Sequence, residues 1–140
     1  MAVRVRLRIK KSEREILTTA LVITGFESDE PQLIIPLRLA EALGLTSGRA
    51  SIEEFSVAGG GAVSGYRLEE PVEIELALED RPPVAMRVPV TVLPRETEAI
   101  INDRLASELG IVVLDPWRGF WCLRDELGSK ERPSAPAEEW

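Results

Sequence analysis

The sequence predicts a mostly β domain with two short α-helices, and three observations predict it. Residues 1–11, 71–79 and 84–93 alternate apolar with polar or charged side chains at period two, the pattern of half-buried strands. Residues 17–24 (LTTALVIT) are apolar or β-branched throughout, as in a strand buried on both faces. Only two segments carry apolar residues at helical spacing, and each closes on a glycine, Gly44 and Gly110. A chain of 140 residues, 44% hydrophobic and 29% charged, suits one globular domain.

Taken in order, Val3, Val5, Leu7 and Ile9 alternate with Arg4, Arg6, Arg8 and Lys10, which predicts an edge strand with a solvated basic face. The run 17–24 predicts a central strand that stops at Gly25. Residues 26–32 (FESDEPQ) read as an acidic loop, and 33–35 as a short strand. Pro36 stands where a first helical residue would, since its fixed φ and missing N–H cost nothing there. Leu37, Leu39, Ala40 and Leu43 supply the stripe of that helix. Residues 49–57 and 63–68 predict a hairpin with the flexible tip Ala58-Gly59-Gly60-Gly61-Ala62. A phosphate cradle would need a helix after its glycines, and here a strand follows.

Strands 71–79 and 84–93 flank the turn Asp80-Arg81-Pro82-Pro83. Residues 97–110 predict the second helix, with Ala99, Ile100, Leu105 and Leu109 on its stripe. Strands at 111–114 and 120–124 enclose the turn Asp115-Pro116-Trp117-Arg118-Gly119. The domain spans 1–125, and residues 126–140, polar and rich in proline, predict a disordered tail. No internal repeat of about 20 to 50 residues is visible.

Composition excludes several chemistries. There is no histidine, so no Ser-His-Asp triad and no His-ligated metal can form. The single Cys122 excludes an internal disulfide and a Cys-cluster metal site. No cofactor is implied. A net charge of −7 opposes general nucleic-acid binding, which depends on phosphate neutralisation. No apolar run reaches the ~20 residues that cross a bilayer, and residues 1–11 lack a leader pattern, so a cytoplasmic location is expected. The 14 arginines against 3 lysines, with one Asn and one Gln, fit a thermophile source or a GC-rich genome.

Three stretches then fall in the order of one architecture. Ala20-Leu21-Val22-Ile23-Thr24-Gly25 resembles the A-L-V-D-T-G strand and turn of retroviral-type (retropepsin-like) aspartic proteases. Leu33-Ile34-Ile35-Pro36 with Leu39-Ala40-Glu41-Ala42-Leu43-Gly44-Leu45 is similar to the strand and "L-A-x-x-L-G-L" helix of the microbial single-domain members. Ala99-Ile100-Ile101-Asn102-Asp103-Arg104-Leu105 through Leu109-Gly110-Ile111, then Val112-Val113-Leu114-Asp115-Pro116, resembles the family's later helix and "V-x-D-P" strand. The resemblance implies a retropepsin-like acid-protease barrel that forms a two-fold homodimer. It also implies a hairpin flap over a peptide groove, with Gly59, Gly60 and Gly61 at its tip and Tyr66 on its second strand.

The departures decide the expected activity. Where the family carries its catalytic aspartate, this chain has Ile23, while Thr24 and Gly25 are retained. The later motif carries Asn102 where glycine is usual. An aspartic protease needs two carboxylates sharing a proton, their pKa values split so that one acts as base and the other as acid. Each protomer supplies one, so Ile23 removes both. The expected function is a catalytically inactive homodimer that binds a peptide or protein, with Thr24, Gly25 and the strands near Trp117 to Leu123 at the interface.

Two other readings stay open. Glu27 or Asp29, four and six residues past Ile23, could supply a non-standard carboxylate for an aspartic-type peptidase. The stretch from Leu33 to Glu53 also resembles the swapped-hairpin DNA-binding domain of transition-state regulators, with residues 66–126 left outside it. Trp117 and Trp121 read as packing residues, and Cys122 as an inert thiol.

Overall fold

The alternating N-terminal segment forms β1 (Arg4–Lys11), which turns back at Ser12 into β2 (Arg14–Val22). The structure is a computed structural model that describes residues 2–25, 28–46, 48–56 and 59–140. Further along lie β3 (Leu33–Ile35), α1 (Leu37–Ala42), β4 (Ala50–Ser56), β5 (Ala62–Leu68) and β6 (Val72–Leu76). Then come β7 (Val84–Val88), β8 (Val90–Val92), β9 (Ala99–Ile101), α2 (Asp103–Glu108), β10 (Ile111–Asp115) and β11 (Phe120–Leu123). Among the described residues, nine strands make one curled, half-closed sheet in the order β4-β5-β8-β3-β9-β2-β1-β6-β7, and β10 with β11 makes a separate hairpin.

β1 is not the edge strand its charges predicted. It pairs with β2 along its length and with β6 from Leu7 to Lys10. Val5, Leu7 and Ile9 point inward and are buried. Carboxylates face two of the outward cations in this central strand: Arg8 meets Glu15 at 2.9 Å, and Lys10 meets Glu75 at 2.7 Å. The Thr19 hydroxyl on β2 is buried with no partner among the described residues. Thr19→Val is therefore expected to raise stability by about 1 kcal/mol, read as a higher urea midpoint.

The long strand expected over 84–93 splits at Pro89, which has no N–H for a ladder. β7 stays on β6 at the sheet edge, while β8 crosses to lie between β5 and β3. The helix expected from residue 97 begins later, because Ala99, Ile100 and Ile101 form β9. That strand is buried between β2 and β3, and Asn102 then caps α2 by accepting from the Leu105 N–H at 2.9 Å.

The sheet also contains an internal two-fold built on a repeat of 13 residues, shorter than the roughly 20 to 50 residues of repeat architectures. Residues 33–45 (LIIPLRLAEALGL) return 66 positions on as 99–111 (AIINDRLASELGI). Ile34, Ile35, Arg38, Leu39, Ala40, Leu43 and Gly44 are matched by identical residues. The pairing obeys the same symmetry. β3 and β9 run antiparallel with Ile34 opposite Ile100, β2 lies parallel to β9, and β8 lies parallel to β3. Gly44 and Gly110 end their helices at φ of 72° and 81°, a conformation that glycine adopts without strain. The repeated unit is short, and its two connections, residues 23–32 and 93–98, differ in length and sequence.

Residues 126–140 depart from the disordered tail that their composition predicted. Arg132 exchanges backbone hydrogen bonds with Trp121, at 3.0 and 2.6 Å, and the Ala135 N–H donates to the Arg4 carbonyl at 2.9 Å. The segment thus bridges β11 to β1 where β6 has ended. The Trp140 indole donates to Thr18 Oγ1 at 3.0 Å. Arg132 anchors the segment, holding Glu126 at 2.7 Å and Asp80 at 2.8 Å, with its guanidinium 5.7 Å from the Trp121 ring centroid. Lys130 also pairs with Asp80.

Candidate functional site

The site expected around residue 23 is built at the ends of twin strands. β2 ends at Val22, and the Ile23 N–H donates to the Ile101 carbonyl at 3.0 Å. In the other half β8 ends at Val92, and the Leu93 N–H donates to the Ile35 carbonyl at 3.1 Å. Ile23 and Leu93 are therefore counterparts under the internal two-fold. Leu93 forms a small buried apolar cluster with Ile34 and Ile100, set apart from the main core, and Ile23, partly buried, packs against it together with Leu21, Phe55 and Val63. Phe55 and Val63 are register partners in the β4–β5 hairpin, so the hairpin's inner face lies on this cluster.

Gly65 makes this approach close. A Cβ there would stand 2.5 Å from Leu93 Cδ2 and 3.0 Å from the Val92 carbonyl. Gly65→Ala is expected to cost about 2 kcal/mol through overpacking, seen as a lower thermal midpoint.

Thr24 and Gly25 follow as an exposed turn. A Cβ at Gly25 would meet nothing within 4 Å. Glu27 lies outside the described residues, and Asp29 is exposed. Among the described carboxylates of the loop, Glu30 has an ion-pair partner. Glu30 pairs with Arg67 of β5, and Arg67 also reaches Glu53 of β4 at 3.5 Å. The Arg67 hydrogen bond holds the Glu30 carboxyl below its ordinary range, so it serves as an ion-pair partner and not as a proton donor.

The loop is also pinned from below. Asn102 is fully buried; its Oδ1 accepts from the Gln32 N–H at 3.0 Å and its Nδ2 donates to the Glu30 carbonyl at 3.0 Å. Asn102, noted in the sequence only as a departure from glycine, thus ties the loop before β3 to the start of α2.

Of the hairpin residues, Gly59 and Gly60 are exposed at φ of 95° and 87°, and Gly61 is exposed beside them. Ala58 lies outside the described residues. Tyr66 is half exposed, opposite Ile52, on the face away from Gly65 and so away from the apolar cluster. Trp121, Cys122 and Leu123 are buried within the chain and offer no surface to a second copy, whereas Trp117 is 73% exposed. Burial pushes the Cys122 thiol up, which leaves it unreactive. The Leu33 to Glu53 stretch is not a free hairpin, since β3 pairs with β8 and β9 and β4 pairs with β5. Among the described residues no group of three or more metal-binding side chains gathers, and no helix is long and apolar enough to cross a membrane. Compared with known proteins, the chain matches no family model and no curated sequence.

Proposed function

We propose that the protein is a retropepsin-like domain without an acid dyad, acting as a two-fold dimer that holds an extended peptide segment beneath the β4–β5 hairpin. One observation carries the reading: the strand end that would bear an acid bears Ile23, packed with its counterpart Leu93 in an apolar cluster under the hairpin. Support also comes from the ordered triple resemblance and from the strand order, in which two strand-loop-strand-helix units interlock. Binding rests on apolar contact and strand addition, not on proton transfer. The exposed Thr24-Gly25 turn is the proposed meeting point of two copies.

The test is incubation with unfolded casein between about pH 3 and 7, where a carboxylate dyad works. Retention of casein on the protein without new chain termini is the expected result. Pepstatin-sensitive cleavage overturns the reading, and cleavage abolished by Asp29→Ala installs the non-standard peptidase in its place. A monomer in sedimentation analysis overturns the dimer.

A further inference from the structure

The outward row of β1 contains four cations, of which three have carboxylate partners. Arg4 pairs with Glu98 at 2.7 Å, Arg8 with Glu15 at 2.9 Å, and Lys10 with Glu75 at 2.7 Å. Arg6 has none. Its neighbour across β2 is Thr19, and on its other side the Ala77 N–H donates to its carbonyl. Two residues beyond Ala77, Glu79 is a carboxylate in the same condition. Among the described residues neither side chain has a hydrogen-bond or ion-pair partner, and they are not paired with each other.

These two charges line one groove. It opens where β6 stops at Leu76 and the chain leaves β1, before the C-terminal segment takes up its place at Arg4. One compartment of about 380 Å³ is walled by Leu17, Leu78 and Pro83, and an adjoining one of about 390 Å³ by Leu78, Trp121 and Pro133. Arg6 and Glu79 line both. Each compartment falls within the size of small-molecule clefts, about 300 to 1,000 Å³.

We propose that this groove binds a free apolar α-amino acid. The Arg6 guanidinium offers a planar fork to the carboxylate, and Glu79 accepts from the ammonium. The hydrocarbon side chain lies against Leu17, Leu78 and Pro83. A plain carboxylic acid would leave Glu79 without a partner, and a plain amine would leave Arg6 without one; a zwitterion engages both. The groove sits on β1 and the chain after β6, away from the Ile23 cluster, and does not depend on the function proposed above.

The experiment titrates L-leucine into the full chain, followed by tryptophan fluorescence, since Trp121 lines the cavity, and by thermal midpoint. A saturable response is expected. Arg6→Gln and Glu79→Gln should each weaken it about tenfold or more, and so should replacing leucine by N-acetyl-L-leucine or L-leucinamide, which each lack one charge. Neither substitution breaks a contact, so both variants should keep the wild-type circular dichroism. No saturable response up to about 10 mM L-leucine, or wild-type affinity in either variant or for either analogue, overturns the site.

Discussion

Asn102→Ala is expected to destabilise the protein by about 3 kcal/mol. The side chain makes three buried or partly buried hydrogen bonds on two elements: it accepts from Leu105 at 2.9 Å and Gln32 at 3.0 Å, and donates to the Glu30 carbonyl at 3.0 Å. Alanine removes a helix cap, worth about 1 kcal/mol, and strands the Gln32 N–H, at about 1 to 3 kcal/mol more. Asn102→Asp keeps both acceptor contacts but sets an oxygen against the Glu30 carbonyl, so about half the loss should return. Urea unfolding of the three proteins measures this series, and a loss in the alanine variant below about 1 kcal/mol would show that the clasp does not hold the loop.

The second large effect concerns the C-terminal segment. Arg132→Ala is expected to cost about 3 kcal/mol, because it leaves Glu126, only 9% exposed, without its principal counter-charge. The substitution should also change the acid response. The Arg132 guanidinium holds the Glu126 carboxyl down at about 2, against an ordinary 4.5. A depressed folded-state pKa stabilises above the unfolded value, and that stability is lost as pH falls from about 4.5 through 2. Asp80, held well below its usual range by Arg132 and Lys130, acts in the same direction. The variant should therefore show a shallower fall in stability below pH 4.5 than the parent, measured by urea midpoints at a series of pH values. Parallel slopes would remove the ion cluster as the anchor.

Local pattern made much of this fold legible. Period-two alternation placed β1, β6 and β7, and a glycine at positive φ marked the end of each helix. What escaped was decided by partners far away in the chain. Ile100 and Ile101 fit either period, and only burial between β2 and β3 makes them strand. Pro89 was visible within an alternating run, yet where the two halves go depends on which neighbours are free to pair. The tail was read from its own polar residues, whereas its anchor Asp80 lies 52 positions before Arg132. At the candidate site the aliphatic character of Ile23 was plain from the sequence. Its counterpart Leu93, the Glu30–Arg67 pair and the role of Asn102 were not, since each rests on a loop path that no local rule fixes.

The interlocking of the two units has a kinetic consequence. β9 completes itself only against β2 and β3, and β3 only against β8 and β9, so neither half can close before the chain between them has been traversed. Topologies dominated by such distant pairings fold on the scale of milliseconds to seconds. The central six residues of β3 and β9 should consequently be among the last amides to exchange with deuterated solvent, and a chain cut between the halves should leave two fragments that acquire structure only together.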